Sequence, residues 1–145
     1  MQKYETERVI NGTFGEVWVD GDYMAEATGV EAKVTLEKTE VNQTGTLAKG
    51  YKITGIEGKG TIKLNKVTSY FIEKLSENLK NGKTTTATII SNLNDPDSIG
   101  NERIQLSGCV FDELTLVNWE SKKIVEESIP FTFTSWDVLD KIESK

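Results

Sequence analysis

Residues 30–37 have the sequence Val-Glu-Ala-Lys-Val-Thr-Leu-Glu, in which apolar and polar side chains alternate without a break. In an extended chain successive side chains point to opposite faces, so the apolar residues share one face and the polar residues the other. This period of two predicts a β-strand that packs one face on a core and leaves the other in water. A slip of one residue would turn the apolar face outward, so the register of this strand is strictly specified.

The same alternation continues on both sides of this strand. A first strand is predicted over residues 14–19, and Asp20-Gly21-Asp22 follows it as a hairpin turn, because Asp-Gly favours the positive φ angles of tight turns. A bulge is predicted near residues 108–112, where the phase of the alternation shifts. Further strands are predicted over residues 23–27, 51–67, 84–91 and 122–134, and residues 103–117 are predicted to form one long strand or a hairpin.

Two segments depart from the period of two. Residues 69–80 carry apolar side chains at helical spacing, with Thr68 or Ser69 placed to cap the start and Gly82 placed to end the helix. Residues 135–142 have the same spacing and predict a short C-terminal helix. No linker, repeat or low-complexity stretch divides the chain, so all 145 residues are predicted to form one mainly β domain.

The composition disfavours several classes of function. There are 17 Lys and Arg against 23 Asp and Glu, a net charge of −6, and tight nucleic-acid binding needs basic residues that neutralise phosphates. Histidine, the commonest general base and metal ligand, is absent. The polar start predicts no signal peptide, and no apolar run approaches the roughly 18 residues of a membrane helix. With the single Cys109, these features predict a protein made in a reducing cytoplasm that does not insert into a membrane.

Motifs that would carry chemistry are weak. The stretch from Gly55 to Gly60 lacks the glycine and Lys-Ser/Thr spacing of a phosphate-binding loop. Asp95 and Asp97 flank a proline and do not have the spacing of a calcium loop. Cys109 has no histidine partner, so a packed thiol is expected. We therefore predict that the chain is not an enzyme and has no catalytic, cofactor-binding or metal-binding residues.

Six segments carry a family resemblance through their order and spacing. They are Gly15-Glu-Val-Trp-Val-Asp-Gly21, Val30-Glu-Ala-Lys-Val34, Lys38-Thr-Glu-Val-Asn42, Gly58-Lys-Gly-Thr-Ile-Lys-Leu-Asn-Lys-Val-Thr-Ser69, Glu102-Arg-Ile-Gln-Leu106 and Ile129-Pro-Phe-Thr-Phe133. Together they resemble the tail tube (core tail) proteins of contractile-tailed phages, defective prophages and phage-tail-like bacteriocins of Gram-positive bacteria, and the resemblance covers nearly the whole chain.

The resemblance implies two packed antiparallel sheets that form a barrel-like sandwich with one flanking helix. It also implies that six subunits form a ring and that rings stack into a hollow tube for DNA passage or membrane puncture. Tail sheath, tape-measure and baseplate proteins are the implied partners, and DNA is only a non-specific passing cargo. The tube would be assembled in the bacterial host cytoplasm and would belong to a virion tail or phage-like particle.

Two sets of residues receive a role on this basis. The long polar stretch between two strong strands is predicted to be a ring-stacking loop that orders against a neighbouring ring, and the polar phases of three strands are predicted to face the lumen. The loop set is Thr39, Glu40, Val41, Asn42, Gln43, Thr44, Gly45, Thr46, Leu47, Lys49 and Tyr51. The lumen set is Glu31, Lys33, Thr35, Glu37, Lys52, Thr54, Thr61, Lys63, Arg103, Gln105 and Ser107.

Two other classes remain open from the residues alone. A small-ligand carrier with a closed lipocalin-like barrel would also be acidic and β-rich, but it should stay monomeric and enclose a large apolar interior. A tube protein of a type VI-like injection system would share the fold and the ring.

Overall fold

The computed structural model describes residues 4–143, which are dominated by one antiparallel β-sheet. Within this part the chain forms eight strands, one α-helix and two 3-10 helices, at Thr6–Arg8 and Gly12–Phe14. The longer elements are β1 (Gly15–Val19), β2 (Asp22–Tyr23), β3 (Ala27–Val41), β4 (Gly50–Asn65), α1 (Tyr70–Lys80), β5 (Thr86–Leu93), β6 (Glu102–Phe111), β7 (Glu126–Phe133) and β8 (Ser135–Asp140). The mainly β class is therefore confirmed.

The sheet branches along one edge of β6. Its order is β2-β1-β5-β6-β7-β4-β3, and β8 pairs with β6 as well. β7 pairs with β6 only at Val110 and Phe111, whereas β8 pairs with the stretch that ends at Ser107. Gly108 lies at the junction with a φ of +66°, and a side chain there would collide with Thr134. Beyond the junction β7 pairs with β4, so the predicted bulge in this region is confirmed and marks the branch point.

The two parts of the branched sheet enclose one core. Val19 and Ile89 come from β1 and β5, Ile62 and Phe131 come from β4 and β7, and all four side chains are fully buried in one cluster. Aromatic rings continue across this core with centroids 5.5 to 6.5 Å apart, in the order Phe71, Phe111, Phe131, Phe133 and Trp136. The arrangement matches the predicted barrel-like sandwich, although the sheet does not close into a full barrel.

Cys109 belongs to this core and is completely buried. Burial raises the pKa of its thiol to about 11, which keeps the sulfur protonated at neutral pH. The expectation of a packed thiol is confirmed.

The helix α1 covers one end of the core with Phe71 and Leu75, which are both buried. Ser69 occupies the N-cap position, but its side chain makes no capping hydrogen bond, so the predicted side-chain cap is wrong. The predicted end is confirmed: Gly82 has a φ of +69°, and the N–H of Lys83 donates to the carbonyl of Asn78 at 2.7 Å.

Polar contacts tie α1 to the turn between β1 and β2. Lys74 forms an ion pair with Asp20, whose other carboxylate oxygen accepts the backbone N–H of Thr88 at 2.8 Å. The hydroxyl of Tyr70 donates to the carboxylate of Asp22 at 2.8 Å. Partial burial raises the pKa of Asp20, but the hydrogen bonds from Lys74 and Thr88 and the charge of Lys74 outweigh burial and leave that pKa below its usual value.

Replacing Asp20 with asparagine is expected to lower the free energy of unfolding at pH 7 by about 1 kcal/mol, because the charge-assisted bond to Lys74 is lost at a partly exposed site. Since the folded pKa of Asp20 is depressed, its contribution is fully present above the unfolded pKa of about 3.9 and disappears as the pH falls through the folded value. Denaturant titrations at pH 7 and pH 3 measure this difference. Asp137→Asn, at an exposed position on β8, is the matched control, and an equal loss in both variants would contradict the prediction.

The predicted C-terminal helix is wrong. Residues 135–140 form β8, which pairs with β6 from Arg103 to Ser107. A short apolar spacing is a weak helix signal, and the open edge of β6 offers a full set of backbone partners instead.

Three predicted strands are too long. The return strand after the first turn stops at Tyr23, the sixth strand stops at Phe111, and the seventh begins only at Glu126. The N–H of Asp112 still donates to the carbonyl of Pro130 at 2.9 Å. Because proline has no N–H to donate back to Asp112, the pairing of β6 with β7 ends there. Residues 112–125 consequently form an irregular segment between two strands.

Candidate assembly surface

The strands β3 and β4 are much longer than the sheet that supports them. β4 pairs with β7 only from Gly58 to Asn65, so residues 35–41 and 50–57 pair with each other alone. We call residues 35–57 the arm. With about 3.3 Å per residue, the seven strand residues 35–41 carry its end roughly 23 Å beyond the last contact with β7. The arm is thus a two-stranded ribbon, and the rest of its own domain does not cover it.

One face of the arm is apolar and exposed. Leu36 pairs with Ile56, and this face continues the phase of the buried Ile62 outward. Beyond Leu36 the apolar strip follows β4 through Ile53 and Tyr51, while Lys38 and Glu40 lie opposite them on β3. The exposed fractions are 49% for Leu36, 53% for Ile56, 53% for Ile53 and 60% for Tyr51, and Leu47 at the turn is fully exposed. Monomeric proteins rarely leave such a continuous apolar strip in water, so this face has the character of a protein contact surface.

The predicted ring-stacking loop is shorter than the sequence indicated. Thr39, Glu40 and Val41 end β3 and Tyr51 belongs to β4, so only residues 42–49 form the turn. Glu40 lies opposite Tyr51, and these polar residues extend the ladder because each finds a cross-strand partner. Lys49 reaches back to Glu40 at 3.8 Å, and Lys38 lies over the ring of Tyr51.

All eleven residues of the predicted lumen set lie on the face of the sheet that points away from the core. In β3 and β4 the registers Glu31↔Thr61 and Thr39↔Lys52 fix this face, and the hydroxyls of Thr39 and Thr54 lie 3.2 Å apart. The structure brings eight of the eleven together on these two strands, in the group Glu31, Lys33, Thr35, Glu37, Lys52, Thr54, Thr61 and Lys63. We call these eight the polar face.

The remaining three residues are not part of that group. Arg103, Gln105 and Ser107 lie on β6, where the amide of Gln105 approaches the hydroxyl of Ser107 at 3.4 Å. Because the sheet branches at Gly108, they belong to its other half.

Sequence reasoning missed two further residues on this side of the sheet, which we add to the polar face. Glu57 and Lys59 share it and form an ion pair at 3.3 Å, beside the pair of Lys33 and Glu31 at 3.1 Å. The sequence does contain the alternation that would have identified them, since polar residues alternate with glycine or apolar residues over residues 57–64. The glycines conceal the apolar phase because aromatic rings from β7 occupy the space above them.

A second exposed apolar surface lies at the opposite end of β4. The irregular residues 112–125, which we call the basal segment, precede Glu126, which pairs with Asn65 at the end of β4 farthest from the arm turn. The N–H of Lys66 donates to the carbonyl of Val125 at 2.9 Å and holds the segment there. The large apolar side chains are exposed by 61% to 82%, and they are Leu116, Val117, Trp119 and Ile124.

Sites for small-molecule chemistry are sparse. Across residues 4–143, no group of three potential metal-ligating side chains is gathered in one place, and no helix has both the length and the apolar character to cross a bilayer. A groove of about 630 Å³ separates β1 from the start of β3, and it is open rather than enclosed as a lipocalin-like carrier would require. The exposed apolar residues of the arm and the basal segment, in contrast, have the character of contact surfaces for other proteins.

The sequence model of the phage tail tube protein family matches residues 2–140 of this chain. The chain belongs to this family. Two proteins of Bacillus subtilis (strain 168) are 34% identical to it: "Phage-like element PBSX protein XkdM", over 95% of both chains, and "Uncharacterized protein YqbM", over 97% of both. The fold is similar to a chain of the PVC extracellular contractile injection system sheath-tube complex, with a TM-score of 0.73, 10% identity and 95% of both chains covered.

Membership of the phage tail tube family confirms the resemblance drawn from the sequence segments. The chain is a structural subunit of a tail tube rather than an enzyme, and it belongs to the tail of a phage or phage-like particle. For such a subunit, exposed apolar strands and segments are contact surfaces for assembly.

Proposed function

We propose that six copies of this chain form a closed ring and that rings stack head to tail into a hollow tube. The arm is the observation that carries this proposal, because it extends roughly 23 Å beyond its domain and exposes an apolar strip along β4. A lone subunit leaves that face in water, whereas a neighbouring ring would bury it. Burial of apolar surface is the main favourable term in protein association.

Ring closure would use the open strand edges. Within the described residues, β3 ends the sheet and β8 pairs on one side only, so both strands present backbone N–H and C=O groups to solvent. Open edges invite pairing with another chain, and a head-to-tail contact that closes by rotation gives a ring. Pairing between subunits would join their sheets into one barrel around the channel.

The polar face is the proposed wall of that channel. The opposite side of β3 and β4 packs against the core, so only the side that carries the polar face can line a water-filled lumen. The charges on it are mixed, and the pairs of Lys33 with Glu31 and Lys59 with Glu57 neutralise one another locally. Such a wall would let DNA pass without binding it, because tight binding needs an excess of basic residues. A role for Arg103, Gln105 and Ser107 in the same wall stays a prediction.

The proposed partners are the other parts of a contractile tail. Solved structures with a similar fold come from a sheath–tube complex, a sheath/tube terminator and an anti-feeding prophage baseplate. We propose by analogy that this chain assembles with tail sheath, tape-measure and baseplate proteins in the cytoplasm of the bacterial host. The finished tube would then conduct DNA or puncture a membrane.

The purified chain is expected to form rings and tubes in negative-stain electron micrographs at high protein concentration, with six-fold symmetry in end-on class averages. Sedimentation velocity should show a ring-sized species and larger polymers, because each added ring buries one more set of arms. Dilution separates the stages, since tubes should shorten before rings dissociate. A persistent monomer that retains a bound small molecule would contradict the proposal and favour the carrier.

A further inference from the structure

The two exposed apolar surfaces of the chain lie at opposite ends of the same strand. The arm turn precedes Gly50 at the start of β4, and the basal segment lies beside Asn65 at its end. The 16 residues of β4 separate them by roughly 53 Å, at about 3.3 Å per residue. A subunit therefore cannot cover its own basal segment with its own arm.

The two ends also differ in charge. Beyond the register shift at Lys38, the arm end (residues 38–53) carries Lys38, Lys49 and Lys52 against Glu40, a net charge of +2. Glu37 and Glu57 at the base of the arm bring the whole arm to a net charge of zero, so the positive charge is concentrated at its end. The basal segment has the opposite sign, and its charged residues are Asp112, Glu113 and Glu120 against Lys122 and Lys123. Opposite charges at the rims of two apolar surfaces favour contact between them and disfavour contact between like ends.

We propose that the basal segment is the surface on which the arm of a subunit in the adjacent ring docks. This inference rests on the proposed ring stacking and names the partner of the arm. Leu47 and Tyr51 of the arm would pack against Leu116 and Trp119 of the basal segment. Each contact is heterologous, with one end of one copy meeting the other end of the next, so the contact repeats without limit and builds a tube.

Symmetry explains why the partner lies in the next ring. All copies in one ring have the same orientation along the axis, so their arm ends lie at one height and their basal segments at another. Even with strands tilted by about 45° in a barrel, the two ends remain separated by tens of ångströms along the axis. Stacking a second ring in the same orientation brings the arm ends of one ring to the basal segments of the other.

Disulfide cross-linking in assembled tubes tests the contact. We expect a chain carrying both Leu47→Cys and Trp119→Cys to give a ladder of covalent oligomers on non-reducing gels after mild oxidation, because each subunit is linked to one above and one below. Tubes of either single variant should give almost no cross-link, and the native Cys109 is fully buried and cannot compete. The matched control pairs Leu47→Cys with Leu139→Cys, an exposed position on β8 away from the basal segment, and should also give no ladder.

The outcomes separate this inference from the ring-stacking proposal. Tubes of normal length that give no ladder with the Leu47 and Trp119 pair would overturn the docking surface while leaving the tube function intact. A Leu116→Ser and Trp119→Ser variant should keep ring-sized particles but lose at least tenfold in tube mass. If that variant forms normal tubes and loses only sheath assembly, the basal segment contacts sheath and the inference is wrong. Failure of the unaltered chain to form any ring or tube would overturn both proposals.

Discussion

Replacing Phe131 with alanine is expected to destabilise the domain by about 3–5 kcal/mol, the usual cost of removing a large buried aromatic side chain. Phe131 is fully buried, and its ring lies between those of Phe111 and Phe133 with centroids 6.5 and 6.3 Å away. Its ring also lies directly over Gly60, where an added Cβ would come within 2.5 Å of it. Removing the ring leaves a cavity in the core cluster that both parts of the branched sheet share.

Denaturant unfolding followed by circular dichroism measures this loss. A domain of this kind has a total stability of roughly 5–15 kcal/mol, so the variant should unfold at a much lower denaturant concentration. Thr132→Ala is the matched control, because the neighbouring side chain points to the opposite face and pairs with Lys59. That change should stay within about 0.5 kcal/mol. Similar losses in the two variants would show that the core does not lie on the face assigned to it.

Local signals in the sequence were sufficient for much of the fold. Asp20 and Gly21 both have positive φ angles, as the hairpin turn after the first strand requires. The helix ends at Lys80 as predicted, since Gly82 supplies the left-handed residue beyond it. Period-two alternation correctly separated the face of β3 on which Val30 and Val34 pack against the core from its polar face. Each of these features is determined by residues that are close together in the chain.

Features that depend on pairing between strands far apart in the sequence were harder to predict from the sequence. The strand β8 forms because the edge of β6 between Arg103 and Ser107 is otherwise unpaired. The sequence of residues 135–140 does not by itself indicate that β6 is the partner. The basal segment has apolar residues that resemble strand signals, yet Pro130 ends the ladder they would have joined. The sequence also does not show what approaches Gly58 and Gly60, whose lack of a side chain admits the rings of Phe133 and Phe131.

The same distinction applies to the candidate site. The polar residues of β3 and β4 could be assigned to one face from alternation alone, and the structure places them together. The arm could not be foreseen, because its projection depends on where β7 stops pairing with β4, at Gly58 and Phe133. A long polar stretch was visible in the sequence, but the apolar strip that accompanies it becomes evident only when the two strands are aligned.

Replacing residues 38–54 with Asn-Gly is expected to abolish tube formation and leave the domain folded. Glu37 and Gly55 are paired across the arm, so a two-residue Asn-Gly turn can join them in the tight geometry that antiparallel strands favour. The removed residues contribute nothing to the buried core, which includes β4 only from Ile62 onward. The thermal midpoint should therefore change by only a few degrees, whereas the yield of tubes in electron micrographs should fall at least a hundredfold.

A second variant separates the reach of the arm from its surface chemistry. Leu47→Ser with Tyr51→Ser keeps the full length of the arm and removes exposed apolar area from its end, so stacking should weaken rather than vanish. Leu79→Ser, at a residue of similar exposure on α1, is the control and should form tubes normally. Loss of tubes in the shortened variant with normal tubes in the serine variant would show that the arm acts by backbone pairing. Normal tubes from the shortened variant would contradict the role of the arm in stacking.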